Sequence, residues 1–206
     1  MKLEVPVIGI LRGVDPSFFP ELMVTSFAAG LQAIEVTMNT VGAVEMIAAS
    51  RPSVPPGHWL GMGTIRTLRE AERAVAAGAM FLVSPNYDPE VIAYAKHHEL
   101  PMIAGALTPT EVYTAWAAGA EMVKVFPCST FGPGYIKELL GPFDHIPLVA
   151  VGGVTRANAA DYFAAGAQAV GVGTSLFGKE ALQNRNLPQL AGNVKQFIEC
   201  CRAASR

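Results

Sequence analysis

The tract Ala-Ala-Gly occurs four times, at 28–30, 76–78, 117–119 and 164–166, and each copy is followed within a few residues by an apolar run. Glycine at such a place suits the left-handed residue just past a helix end. The runs that follow have the length of buried strands. A helix that stops and a buried strand that starts, again and again, means βα units and a parallel sheet. Eight strands are expected: Pro6 to Leu11, Ala33 to Met38, Trp59 to Thr64, Phe81 to Ser84, Met102 to Leu107, Met122 to Phe126, Leu148 to Gly152 and Ala169 to Gly173. Helical patterns lie between them, as in Leu68 to Ala77, Pro89 to His97, Pro109 to Ala118 and Asn158 to Ala165, with a last helix from Leu187 to Ala203. Thr108-Pro109-Thr110-Glu111 and Thr155-Arg156-Ala157-Asn158 have the character of helix starts.

Eight such units favour a closed α/β barrel of the (β/α)8 kind, with residues 1–206 as one domain; a doubly wound open sheet is the alternative. The chain is short for a barrel, so its loops must be tight. Hydrophobic residues make up 51% of it, enough for a sizeable core and too many for a disordered chain. A net charge of −2 without runs of like charge points away from nucleic acid and anionic membranes. No apolar stretch reaches the length of a membrane span. Val5 to Leu11 is read as a strand rather than a signal peptide. Cys128, Cys200 and Cys201 offer neither a disulfide framework nor zinc-site spacing, which suits a reducing cytoplasm.

In a barrel of this kind, chemistry sits at the C-terminal ends of the strands. Of six lysines, only Lys124 falls inside a strand-like run; Lys2, Lys96, Lys137, Lys179 and Lys195 fall at a terminus, in loops or on polar helix faces. On the sixth strand Met122, Lys124 and Phe126 share one face, and Val123 and Val125 suit packing under helices, so Lys124 points into the barrel. Burial disfavours a charged lysine and makes its amine a usable nucleophile; the other reading is a lysine held in a structural ion pair. On the second strand Ala33, Glu35 and Thr37 point inward, which puts a carboxylate across the barrel from Lys124. Arg12 ends the first strand and Thr64 the third. Glu35 and Arg12 have structural readings too, as charge partners, and Thr64 as a loop hydrogen-bonder.

The seventh and eighth strands end in Val151-Gly152-Gly153-Val154 and Val172-Gly173-Thr174-Ser175. Loops after these two strands commonly bind phosphate in this fold, because glycines let backbone N–H groups approach the oxygens. His58, His97, His98 and His145 fall in helix or loop positions and read as surface residues, and no metal cluster is visible.

Ile34-Glu35-Val36-Thr37, Gly61-Met62-Gly63-Thr64, Val83-Ser84-Pro85-Asn86, Val123-Lys124-Val125-Phe126-Pro127 and Val151-Gly152-Gly153-Val154 resemble, in order and spacing, the class I 2-keto-3-deoxy-6-phosphosugar-acid aldolases. Ile8 to Gly13, Met38-Asn39-Thr40 and Pro85-Asn86 resemble the phosphogalactonate branch more than the phosphogluconate branch. Met62 and Ala104 depart from the family pattern, and both are expected near the pocket.

The resemblance implies a Schiff-base lyase. Lys124 would attack the C2 ketone and Glu35 would serve as general acid and base. Arg12 and Thr64 would hold the C1 carboxylate, and Phe126 would wall the pocket. Gly152, Gly153, Gly173, Thr174 and Ser175 would cradle the 6-phosphate. Pyruvate and glyceraldehyde 3-phosphate would leave, without metal or organic cofactor, from a cytoplasmic homotrimer. The alternatives are the C4-epimeric phosphogluconate activity, a phosphosugar isomerase or epimerase with Glu35 as proton-transfer base, and a non-catalytic phosphosugar-binding barrel.

Overall fold

A computed structural model describes Met1 and residues 3–204, with side chains through Arg202; Lys2 lies outside the described residues. Eight parallel strands close on themselves in chain order. They are β1 (Val7–Leu11), β2 (Ala33–Thr37), β3 (Trp59–Gly63), β4 (Leu82–Val83), β5 (Met102–Ala106), β6 (Met122–Val125), β7 (Leu148–Val151) and β8 (Ala169–Val172). Each lies inside its expected range, shortened mostly by a residue at one end. Closure removes the open-sheet alternative.

Helices α1 (Phe19–Ala28), α2 (Ala43–Ser50), α3 (Leu68–Ala76), α4 (Pro89–His97), α5 (Pro109–Ala117), α6 (Pro133–Leu140) and α7 (Ala159–Ala164) cover the strands. Two short helices follow β8, α8 (Thr174–Phe177) and α9 (Lys179–Gln183), before α10 (Leu187–Ala204). Among the described residues no helix is long and apolar enough to cross a membrane.

Local chemistry explains the boundaries. The Thr108 hydroxyl accepts from Glu111 N–H and the Glu111 carboxylate accepts from Thr108 N–H, a reciprocal cap that starts α5. The expected start at Thr155 differs. There α7 begins only at Ala159, and the Asn158 side chain accepts from Thr155 N–H and donates to the Gly153 carbonyl. Asn158 thus fastens the glycine loop after β7 instead of capping the helix.

All four Ala-Ala-Gly tracts end their helices as read. Gly30, Gly78, Gly119 and Gly166 have φ between 91° and 109°. In each, the glycine N–H bonds three residues back and the next N–H five residues back, as in Gly30 to Phe27 and Leu31 to Ser26. Two further helices end the same way on non-glycine residues, Glu99 (φ 54°) after α4 and Arg185 (φ 51°) after α9.

The core has two layers. Outward-facing residues such as Val36, Met62, Ala104, Val123 and Val125 pack under the helices. Inward-facing Ile8, Ala33, Phe81, Ile103, Met122, Val149 and Ala169 fill the barrel. The alternation places Glu35 and Lys124 on the inner side, one step above this plug on β2 and β6. Met62 and Ala104, expected near the pocket, face the helices instead. In both cases a strand neighbour, Gly61 or Gly63 and Ile103 or Gly105, holds the inward positions, so neither departure shapes the cavity.

The helix ends make a test of the backbone argument. A Cβ on Gly30 would meet only Ile198 Cδ1, at an ordinary 3.7 Å. Gly30→Ala should therefore lose about 1 kcal/mol from the left-handed backbone alone. Glu99→Gly should gain about 0.5 kcal/mol. Denaturant midpoints would measure both, and opposite signs at the two sites are the expected outcome.

Candidate active site

At the C-terminal mouth of the barrel lies a cavity of about 680 Å³. All ten residues singled out from the sequence line it: Arg12, Glu35, Thr64, Lys124, Phe126, Gly152, Gly153, Gly173, Thr174 and Ser175. They come from six of the eight strands, β1 to β3 and β6 to β8, and only closure brings them together.

Lys124 is 6% exposed and Glu35 2% exposed. Lys96, Lys137, Lys179 and Lys195 are all exposed. Desolvation pulls the Lys124 pKa below its ordinary value, against the opposing charge of Glu35 and with help from the positive charge of Arg12. Desolvation likewise raises the Glu35 pKa, against the pull of Lys124 and Arg12. Burial therefore wins at both groups. Among the described residues the ion pairs within 4 Å are Met1–Glu121, Arg66–Glu70, His145–Asp144 and Arg185–Asp15, so Lys124 and Glu35 do not form a contact pair. The Lys124 amine stands 5.0 Å over the Phe126 ring, and Phe126 itself is 40% exposed at the rim. An amine with a lowered pKa facing a carboxyl with a raised one across an open cavity can attack a carbonyl and exchange protons.

Glycines make the room. A Cβ on Gly63 would lie 2.5 Å from the Glu35 Cδ, so the carboxyl occupies the space over that glycine. A Cβ on Gly61 would overlap the Phe81 ring in the plug below. Large inward groups thus sit where the neighbouring strand has no side chain.

Arg12 crosses the mouth from β1. It donates to Asn39 Oδ1 at 3.0 Å and to the Thr64 hydroxyl at 3.3 Å. Thr64 holds φ 58°, a sparsely populated backbone for a β-branched residue. Such positions cost on the order of 1–3 kcal/mol and concentrate at functional sites. The hydroxyl is thereby aimed at Arg12 rather than at its own loop.

Next to β1 around the mouth, the ends of β7 and β8 bring Gly152, Gly153 and Gly173 alongside Thr174 and Ser175. The β7 loop is anchored by Asn158 from one side and packs on the Cys128–Thr130 turn from the other; a Cβ on Gly153 would lie 2.7 Å from Ser129 Cβ. Cys128 itself is buried, donates to the Val125 carbonyl and has its thiol pushed up to about 11, so it is not a competing nucleophile. Among the described residues no group of three or more His, Cys, Asp or Glu could hold a metal ion.

Three lining or supporting residues escaped the sequence reading. Asn39 carries a visible signal, an amide two residues past the β2 end, but only the fold shows it gripping Arg12. Asp15 and Arg185 line the cavity and pair with each other at 2.8 Å across 170 residues of sequence. Nothing in the polar stretch Gln183-Asn184-Arg185-Asn186 marks Arg185 as part of a site.

Comparison with known proteins agrees with this geometry. The chain is 37% identical over 177 residues to a probable 2-dehydro-3-deoxy-6-phosphogalactonate aldolase of Rhizobium meliloti (strain 1021), covering 85% of this chain and 83% of that protein. It is 34% identical over 200 residues to the 2-dehydro-3-deoxy-6-phosphogalactonate aldolase of Escherichia coli (strain K12), covering 96% and 97%. Its fold superposes on a solved structure of native KDPGal with a TM-score of 0.92 at 31% identity, over 99% of this chain and 98% of that one. With residues 3–192 also matching the family model for KDPG and KHG aldolase, the chain belongs to that aldolase family.

Proposed function

We propose that the protein cleaves 2-dehydro-3-deoxy-6-phosphogalactonate to pyruvate and glyceraldehyde 3-phosphate through a Schiff base on Lys124. The observation that carries this reading is a desolvated lysine, its pKa lowered, facing a buried Glu35, its pKa raised, without a contact ion pair. Family membership and the two phosphogalactonate relatives support the substrate.

The chemistry follows from the groups. Lys124 Nζ adds to the C2 ketone, and loss of water from the carbinolamine gives an iminium ion. Glu35, directly or through a water, donates the proton that carries off that water. Its carboxylate then takes the C4-hydroxyl proton. The C3–C4 bond breaks, its electron pair flows into the iminium to form an enamine, and the aldehyde leaves. Protonation at C3 and hydrolysis release pyruvate and the free amine. Arg12 and Thr64 hold the C1 carboxylate, the former by charge and the latter by its hydroxyl, and Asn39 orients Arg12. Phe126 walls the site beside the amine. Gly152, Gly153, Gly173, Thr174 and Ser175 receive the 6-phosphate at the rim.

The whole chain works as one catalytic domain in the cytoplasm, where its free Cys128, Cys200 and Cys201 stay reduced. Subunits associate as a homotrimer. The half-exposed aromatic residues Tyr113 and Phe131, with Phe143 stacked on Tyr113, supply a surface suited to such burial. Assay of the purified enzyme on the two C4-epimeric phosphosugar acids tests the substrate; faster cleavage of the gluconate epimer would overturn the assignment.

Three variants probe the roles. Borohydride with pyruvate should trap an adduct on Lys124, read by mass, and Lys124→Met should abolish it with a loss of turnover of at least about 10³. The same variant should be more stable than the parent at neutral pH, because a desolvated amine is gone. Its folded-state pKa is lowered, so the parent's deficit should shrink as pH rises toward the ordinary lysine value, where the unfolded chain also loses its proton. Glu35→Gln should keep the fold and slow turnover by about 10² to 10⁴, with pyruvate trapping slowed but detectable; near-normal turnover would remove Glu35 from the mechanism. For the phosphate rim, Gly153→Val is a poor probe, since its Cβ strikes Ser129. Ser175→Asp is cleaner: it should raise KM for the phosphorylated substrate by more than about tenfold and leave pyruvate trapping nearly unchanged. Equal losses in both assays would make the rim a folding element.

A further inference from the structure

The phosphate rim carries one side chain whose placement the chemistry above leaves unused. Arg185 occupies the left-handed position after α9, where the four Ala-Ala-Gly helix ends have glycine. The Arg185 side chain reaches the β1–α1 loop, whose strand lies beside β8. Arg185 donates to Asp15 Oδ2 at 2.8 Å and to Ser17 Oγ at 3.3 Å, and its guanidinium lies 5.8 Å from the Phe18 ring centre. Asp15 is itself fixed, accepting from the Ser17 N–H at 2.8 Å and hydroxyl at 2.6 Å. Asp15, Phe18 and Arg185 line the same cavity as Gly173 and Ser175.

The charges make an arrangement with one opening. A fixed carboxylate at the rim repels a phosphate dianion unless a cation covers it. Arg185 covers it using two of its five N–H donors, which leaves three free in a planar fork suited to phosphate oxygens. The neutral glycine rim supplies no charge of its own. We propose that Arg185, anchored by Asp15 and Ser17, is a specificity-determining residue that binds the distal phosphate of the substrate and selects phosphorylated over unphosphorylated sugar acids. This rests on the aldolase reading for the identity of the substrate, though not for the anion chemistry.

Arg185→Gly is the variant of choice, because it relieves the left-handed backbone and so keeps the helix end. Two readouts are needed: KM for the phosphorylated sugar acid and for its unphosphorylated counterpart, and calorimetric binding of inorganic phosphate. Loss of a charged hydrogen-bonding group should raise KM for the phosphorylated substrate by roughly ten- to a hundredfold and weaken inorganic phosphate comparably. KM for the unphosphorylated acid should move by no more than about twofold. Arg185→Lys should recover part of the loss, as a charge without the fork. Equal changes for both substrates, or unaltered phosphate binding, would reduce Arg185 to a loop tie and overturn the proposal while leaving the aldolase standing. A parent enzyme that traps no pyruvate yet binds inorganic phosphate through Arg185 would do the reverse.

Discussion

Water is excluded from the middle of the barrel, where Ile8, Phe81, Ile103, Met122 and Val149 close the interior, and Lys124 and Glu35 stand directly above that floor. Neither group can keep its ordinary pKa there, and the two are displaced toward each other, the amine downward and the carboxyl upward. A contact ion pair would have relieved both displacements. The cavity instead holds them on opposite strands, and the site retains an amine and a carboxyl poised for proton exchange at the cost of stability.

The same cavity explains the distribution of side-chain size around the mouth. Glycine on β3 leaves room for the Glu35 head and for the Phe81 ring below it. Around the mouth Arg12, Asn39 and Thr64 gather at the ends of β1 to β3, and the glycine ends of β7 and β8 with Arg185 follow beside β1.

Unfavourable backbone is placed with economy. Left-handed residues at four helix ends are glycines and cost little. Of the three non-glycine cases, Glu99 is exposed on the outer ring, whereas Thr64 and Arg185 both border the cavity. Strain that is retained next to the pocket is spent on aiming a hydroxyl and a guanidinium.

Much of this was legible in the residues. The Ala-Ala-Gly tracts and the apolar runs determined the eight βα units, because helix termination and strand burial are local matters of backbone preference and apolar content. Period-two alternation determined that Lys124 and Glu35 face inward, and strand-end position marked Arg12, Thr64 and the glycine rims. Three things were decided only by the tertiary structure. The helix expected over Asn158 to Ala165 runs from Ala159 to Ala164, but the cap expected at Thr155 did not form because the Asn158 side chain found a partner in the Gly153 loop. The balance at Glu35 depended on how far its carboxyl stands from the two cations that oppose desolvation. The roles of Asn39, Asp15 and Arg185 depended on contacts between segments 27 and 170 residues apart. No local pattern encodes such pairings; they exist only once the barrel closes and brings the first strand beside the second and the eighth.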